Sequence, residues 1–469
     1  MTEHVEVAVI GAGPAGLAAA DVLGEAGCRT ALLDEQPGPG GQIYRGIAAV
    51  DDARKRLLGD DYAAGARLLS ALDHGTVEHL AGATVWQVTP DRRLSFSIDG
   101  KARSLNADQL LIATGAIERP MPFPGWTLPG VMTVGAGQIL LKTSGLLPPS
   151  PCILAGSGPL LYLLATQYLA AGMKIDAIVE TTPKGNFRKA LKHATGALIS
   201  NRYLRKGLAM LNRLRQAGIP HYRQARELVA EGKSEIEALT FIAGGERRTL
   251  PCRSLLLHVG VTPNVQISRS LHFDHEWDPL QSCWRPRIDP LGGTSLPGIR
   301  IAGDGAGIAG AEAAIHGGRL AAFAILAELG KLTPDQHDAI ANRDLLSYRR
   351  HARARPFLDA LYAPSPEFLD PSDDAVICRC EEVTAGQIRS FVDLGCKGPN
   401  QAKAFGRSGM GPCQGRYCGL TVSSVIAAKR GAEMADVGYY RIRPPLKPIT
   451  LGELATMAID DDGYEQPEL

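Results

Sequence analysis

Val5-Glu6-Val7-Ala8-Val9-Ile10-Gly11-Ala12-Gly13-Pro14-Ala15-Gly16 decides the fold of this chain. Its first half is a short β-branched run suited to a buried parallel strand. The glycine-rich turn follows at once, Leu17 to Ala26 reads as a helix stopped by Gly27, and Cys28 to Leu33 is a second strand ending at Asp34 and Glu35. In this strand–turn–helix–strand context Gly11 makes the tight turn and Gly13 lets backbone approach a pyrophosphate. Gly16 lets helix and strand pack closely. Pro14 and Ala15 join these glycines as cofactor-binding candidates, and the N-terminus of the following helix turns its free N–H groups and positive dipole end to the phosphates. Asp34, with Glu35 beside it, stands where a carboxylate accepts ribose hydroxyls.

Outward from that turn, three stretches extend the pattern. Gly40-Gly41-Gln42 follows the second strand as a candidate backbone nest. Leu110-Leu111-Ile112-Ala113-Thr114-Gly115 is a buried strand ending in small residues, and Ile299-Arg300-Ile301-Ala302-Gly303-Asp304-Gly305 is a late strand before a helix expected from about Ile308. With these residues the chain resembles the two-dinucleotide-domain flavoproteins that include glutathione and thioredoxin reductases. The resemblance implies an α/β fold with two Rossmann-like domains, the second inserted in the first. It also implies an FAD crossed beneath by Ala113, Thr114 and Gly115, with Gly303 and Asp304 on the ribityl chain. Residues 1–122 and 290–334 would form the FAD domain and 123–289 the second nucleotide domain.

That second domain repeats the pattern imperfectly. Strand Cys152–Ala155 leads into Gly156-Ser157-Gly158-Pro159-Leu160-Leu161, a helix ends at Gly172, and strand Ile175–Val179 ends at Glu180. Leu161 occupies the third glycine position, which should push the helix from the strand. Glu180 repels a 2′-phosphate and disfavours NADP. NAD, ATP or ADP, or no ligand at all remain open for Gly156, Gly158 and Glu180. No CxxC pair lies in either domain, so a disulfide relay is not expected; Cys28, Cys152 and Cys252 read as core fillers.

Near the C-terminus the chemistry changes. After a helical and Pro-rich linker (335–372), residues 373–435 carry Cys378-Arg379-Cys380 and Cys413-Gln414-Gly415-Arg416-Tyr417-Cys418. Thr384 and Gln387 form a capping box, and Val383 can staple onto Ile388. Two thiol pairs on turns before helices suit a four-thiolate metal centre, with Arg379 and Arg416 placed to offset charge and glycines freeing N–H groups toward sulfur. Zinc is the rival, although its knuckles use CxxC. The spacing resembles the bacterioferritin-associated-ferredoxin-like [2Fe–2S] module, which implies Cys378, Cys380, Cys413 and Cys418 as ligands of one small helical domain. Cys396 reads as a buried helix-end thiol.

Bulk properties narrow the function. The 469 residues hold 50 Lys+Arg against 49 Asp+Glu, a net charge of +1, which argues against nucleic acid as a partner. Met1 to Glu6 carries acid where a signal peptide would be basic, and glycines break the apolar stretch after it. The nine cysteines, five of them after residue 377, fit a reducing cytoplasm. Residues 184–226 contain no Asp or Glu but many Lys and Arg among leucines, either a solvated helical insertion or a surface for a partner or anionic ligand.

The order of modules, sharpened by Asp34–Arg45, Glu118–Val131 and Gly411–Arg416, resembles the larger FAD subunit of heteromeric amino-acid dehydrogenases. These are the opine oxidases, D-hydroxyproline dehydrogenase and hydrogen cyanide synthase, with the α subunits of sarcosine oxidase more distant. The resemblance implies an amino-acid-oxidase-type FAD partner, leaves room for a small third subunit and an interfacial FMN, and suggests electrons passing onward to an acceptor such as a quinone, with peripheral membrane contact open. No Ser/His/Asp or Cys/His set competes, and no catalytic side chain is assigned. Rival readings are a self-sufficient NADH-dependent flavin oxidoreductase and a non-catalytic assembly subunit with a structural nucleotide. The Pro-rich 443–449 segment of the tail (436–469) could strap onto a partner or stay solvated.

Overall fold

Strand Glu3–Ile10 is buried along its second half because helices cover both faces of the sheet around it. It pairs in parallel with Thr30–Asp34 on one side and Lys101–Ile112 on the other. Val77–Ala81 extends the first side, and the late strand Ile299–Ile301 pairs with the end of Lys101–Ile112, in register Ile301 to Ile112. Two antiparallel strands, Arg93–Ile98 and Thr84–Val88, complete seven. The computed structural model describes residues 3–457, without the side chains of 334–340.

The chain leaves this sheet through Ala116–Glu118 and returns through Val261–Pro263, and these two strands pair antiparallel. Everything between them forms the inserted second fold. Its parallel sheet runs His221–Tyr222, Ala177–Glu180, Cys152–Gly156, Ser254–His258, Val131–Thr133, with an antiparallel meander, Arg226–Glu231, Ala238–Ala243 and Glu246–Pro251. The architecture is the α/β one, a second Rossmann-like fold inserted in the first, that the flavoprotein resemblance implies. The first helix spans Pro14–Glu25, starting three residues before the expected Leu17 because Pro14 sits at its first position. The acid-free insertion is helical over Asn186–Leu191, Ala194–Ile199 and Asn201–Gln216.

Residues 335–372, expected as helix then linker, are helical over Pro334–Ala352, Arg355–Leu361 and Pro366–Leu369. The cysteine-bearing region follows with the hairpin Val376–Cys378/Val383–Thr384 and helices Ala385–Asp393, Pro399–Gly406 and Cys418–Arg430. The capping box is present in both directions between Thr384 and Gln387. Its apolar residues Ile377, Ile388, Val422 and Ile426 join one core with Leu110, Ile299 and Phe273 of the first fold.

The tail segment packs on this chain. Ile442 and Leu446 are buried, the Leu446 N–H donates to the Trp86 carbonyl at 2.7 Å, and the Ala102 N–H donates to Thr456 Oγ1 at 2.8 Å. The strap therefore closes on this chain's own first sheet. Residues 458–469 of the expected tail lie outside the described residues.

Candidate functional site

At the first glycine turn, each glycine is fixed by a specific near-contact. A Cβ on Gly11 would stand 2.5 Å from the Ala113 carbonyl oxygen, and one on Gly16 would stand 1.8 Å from the Gly11 oxygen. Gly41 packs against Gly13, where a Cβ would come within 2.8 Å of its Cα, and the Gly40 N–H donates to the Ala12 carbonyl at 2.8 Å. The Gly40-Gly41-Gln42 nest is thus folded directly onto the phosphate-binding turn. A Cβ on Gly303 would meet that of Ala15 at 2.9 Å, which brings the late Gly-Asp turn to the same place. Gly318, one helix farther on, is needed as well: a Cβ there would reach the Ala15 oxygen at 2.0 Å. It lies inside an ordinary apolar helix, so no motif marks it.

The open sides of these turns define a cradle. Gly115 and Gly310 both have positive φ, and a Cβ on either would meet nothing within 4 Å. Thr114 Oγ1 is buried without a hydrogen-bond partner, the condition expected of a polar group awaiting a ligand. Asp304 Oδ1 accepts from the Ala309 and Gly310 N–H groups, both at 2.9 Å, immediately before helix Ala311–Glu328. That helix starts at Ala311 rather than near Ile308 because those bonds hold the preceding turn. The residues present fit a flavin dinucleotide.

Two acids depart from expectation. Asp34 is buried and already accepts from the Ala12 N–H (2.6 Å) and the Gln36 N–H (2.8 Å). Burial pushes its carboxyl pKa up, against those bonds. It braces the glycine turn from behind. Glu35 is exposed and pairs with Lys447 of the C-terminal strap, so it does not point into the cradle with Asp34.

Lys142 is the residue that sequence patterns missed. It lies in helix Val134–Ser144 of the second fold and is only 2 % exposed. Its Nζ donates to the Gln42 carbonyl (3.0 Å), the Ile43 carbonyl (2.8 Å) and Gln138 Oε1 (2.8 Å). Gln138 donates to Gln167, and Gln167 to the Leu58 carbonyl, each at 2.9 Å. One buried polar chain therefore ties the loop on the phosphate turn to two helices of the inserted fold. Burial drives the Lys142 pKa down to about 7. Lysines are rare in cores and carry no motif here.

The second glycine turn is built differently. A Cβ on Gly156 would stand 1.8 Å from the His258 oxygen, and one on Gly158 would face the His258 ring at 3.0 Å. His258 Nδ1 in turn bonds Glu118 Oε1 at 2.7 Å, while Glu118 Oε2 accepts from the Gly135 N–H. Leu161 is wholly buried as core. Glu180, one of the residues left open for a second nucleotide, bonds His221 at 2.9 Å and is also reached by Tyr162, so its pKa lies below the usual range despite burial. The ring of Tyr362, from the connecting stretch, stacks at a tilt on Tyr162 6.4 Å away. Ser157 and Thr181 keep buried hydroxyls without partners.

In the C-terminal region the four thiols of both motifs come together. Cys418, in the first turn of its helix, is in hydrogen-bond contact with Cys378 and Cys413, and Cys413 with Cys380. Bonds from Cys418 and from the Gly409, Glu381 and Cys380 N–H groups lower the Cys378 pKa to about 6. Contact with Cys418 and the Tyr417 and Gly415 N–H groups lower that of Cys413. The proton those bonds require stays on Cys418, whose pKa is raised. Glycines thus turn N–H groups onto sulfur as expected. A Cβ on Gly411 would also meet the Cys380 Cβ at 2.2 Å. Among the described residues no group of three or more His, Cys, Asp or Glu is arranged as a single-ion metal cage; the thiols follow one another as an open chain.

The two arginines do not serve those sulfurs by hydrogen bonds. Arg379 lies over the Trp126 ring at 5.3 Å, and Arg416 donates to the Leu446 carbonyl at 2.9 Å. Buried Tyr440, invisible to the motif, stands 3.9 Å from Cys418 Sγ and packs where Cβ atoms on Gly409 and Gly415 would lie. Cys28, Cys152, Cys252, Cys283 and Cys396 are buried and free. Asn264, whose N–H donates to the Gly115 carbonyl at 2.9 Å, lines a small cleft shared with Arg416, Tyr417 and Tyr439, the neighbours of Cys413 and Cys418.

Residues 5–325 match the pyridine nucleotide-disulphide oxidoreductase family. The chain belongs to that family. Residues 373–458 match the sarcosine oxidase A3 domain. Among curated relatives of this oxidoreductase, the A subunit of opine oxidase from Rhizobium meliloti is 44% identical over 96% of this chain and 98% of its own length. The HcnB subunit of hydrogen cyanide synthase from Pseudomonas aeruginosa is 33% identical over 94% and 96%. The fold matches that of L-proline dehydrogenase from P. horikoshii with a TM-score of 0.72 at 19% identity, over 97% of this chain and 80% of that one. The family, the cradle and these relatives make the chain a flavin-dependent oxidoreductase, with FAD as its flavin. No helix among the described residues is long and apolar enough to cross a membrane.

Proposed function

We propose that the chain is the electron-transferring FAD/[2Fe–2S] subunit of a heteromeric amino-acid, imino-acid or opine dehydrogenase, receiving electrons from a partner flavoprotein that oxidises the C–N bond. One observation carries the reading: the four thiols of the two motifs come together, two of them biased toward thiolate, in a region that shares its hydrophobic core with the first dinucleotide fold. Relatives named as subunits of opine oxidase and hydrogen cyanide synthase support it. Bound FAD and cluster would supply stepwise electron exchange, and the protein's part is to hold and insulate them. Gly11, Gly13, Gly16, Thr114, Gly115, Gly303 and Asp304 would hold FAD; Cys378, Cys380, Cys413 and Cys418 would hold the iron. The glycine N–H groups aimed at sulfur would set its potential.

Anaerobically purified chain is expected to contain iron and acid-labile sulfide, and Cys418→Ser to lose both while keeping FAD. Zinc without sulfide in the wild type would overturn the reading. The engaged Glu180 gives a second expectation. Millimolar NADH under nitrogen should leave the flavin absorbance unchanged, because the ribose acceptor is held by His221 and Tyr162; rapid bleaching would favour an NADH-dependent enzyme.

A further inference from the structure

The acid-free insertion has no part in the cradle or the thiol cluster, yet it is the most unusual surface of the chain. Phe187, Leu191, Leu198, Ile199 and Leu208 are each more than half exposed within its three consecutive helices. The inward residues Ala190, Ala197 and Leu204 pack on Phe357 and Ala360 of the connecting stretch, so the exposed side chains are not needed to hold the insertion in place. Along helix Asn201–Gln216 the outward stripe reads Arg202, Arg205, Leu208, Asn212, Arg215. Protruding leucines stand among cations with no acid across 184–226. Asp61 pairs with Arg202 and Lys206 at one edge, and Arg188, Lys189, Lys192, Arg205 and Arg215 leave the face strongly basic, the composition of a surface that enters the boundary of a bilayer. The core of a protein interface is instead depleted in charged residues.

Beside this stripe lies a cleft of about 610 Å³ whose walls include Ile178, Leu208, Leu211 and Ile219, with Arg215 and Arg223 among its lining. An apolar wall beside two guanidinium groups matches an amphiphile with an anionic head. Charge complementarity selects the occupant: the whole chain has a net charge of only +1, so the concentration of cations here is local. We infer that the 184–216 insertion docks the protein on anionic phospholipid, with its exposed Phe, Leu and Ile side chains in the headgroup boundary and a lipid phosphate between Arg215 and Arg223. This goes beyond the electron-transfer reading and does not depend on it.

The test is flotation of the full FAD-loaded chain with vesicles of phosphatidylcholine alone and of phosphatidylcholine with phosphatidylglycerol. Binding is expected only to the anionic vesicles and is expected to weaken as salt rises. The triple variant Leu198→Glu, Ile199→Glu, Leu208→Glu should bind at least about tenfold less, with FAD content and melting temperature unchanged. Arg205→Glu with Arg215→Glu should lose binding similarly and covers the case in which the triple variant folds poorly. The inference is overturned if the wild type ignores anionic vesicles, or if both variants float as it does. It is also overturned if the variants shed a co-purifying protein while vesicle binding is absent. Iron content plays no part in this readout, so failure of the cluster leaves it standing.

Discussion

Gly16→Ala is expected to yield a chain purified almost free of FAD and melting far below the wild type. The added methyl would lie 1.8 Å from the Gly11 oxygen and 3.4 Å from Val9 Cγ1, so the first helix must back away from the first strand. Overpacking of this kind costs about 1–3 kcal/mol where side chains can yield. Here the opposing atom is backbone in the phosphate turn, which places the cost above about 4 kcal/mol. The same displacement takes the helix N-terminus off the pyrophosphate. Gly27→Ala is the control: φ is +69° and a Cβ there meets nothing within 4 Å, so only the left-handed backbone is penalised, by about 1 kcal/mol. Flavin absorbance per mole of protein and a thermal melt of each variant check both statements; equal FAD content in Gly16→Ala and wild type would show that the turn is not the dinucleotide site.

Lys142→Met should make the pH dependence of stability visibly different from the wild type. In the unfolded chain a lysine holds its proton to its ordinary value of 10.5, whereas in the fold burial brings Lys142 to about 7. Between those values the unfolded state binds one more proton than the native state. Stability therefore rises with pH across that window, by about 1.4 kcal/mol per pH unit. Below pH 7 the full cost of burying the cation is present. The difference in unfolding free energy, wild type minus Lys142→Met, should be flat below pH 7 and climb above it. Urea unfolding at several pH values measures it, and a flat difference from pH 6 to 10 would contradict the buried-cation assignment. A second effect accompanies the titration. The ammonium has three N–H donors for the carbonyls of Gln42 and Ile43 and for Gln138; the neutral amine has two, so one partner is released. FAD affinity should fall as pH rises through about 7, where the folded-state lysine loses its proton, because the loop on the phosphate turn loosens.

Local patterns carried the fold a long way. The Gly11, Gly13 and Gly16 spacing, the Thr384–Gln387 capping box and the pairing of Cys378/Cys380 with Cys413/Cys418 are short-range signals whose geometry is set within a few residues. What the sequence hid is long-range. Gly318 is essential because Ala15 lies across from it, 303 residues earlier by number, and nothing near either residue announces the contact. Lys142 satisfies carbonyls about 100 residues away. Glu180 has no visible partner in the sequence until the strand that brings His221 is in place. Adjacency places Arg379 and Arg416 beside the thiols, but only the tertiary structure shows that Trp126 lies under one and the Leu446 carbonyl accepts from the other. In each case the deciding partner is another part of the chain whose position only tertiary structure supplies.

The hydrophobic core that the cysteine region shares with the first sheet has a thermodynamic consequence. A carrier module joined by a free tether melts on its own and can be clipped off intact. Here the Trp126 indole grips the Val376 carbonyl at the front and the Leu446 N–H grips Trp86 at the back, so the two parts unfold as one cooperative unit. Whatever fills either site thereby stabilises the other by mass action, and a fragment cut near residue 373 would leave two halves each exposing the apolar face that the other had covered.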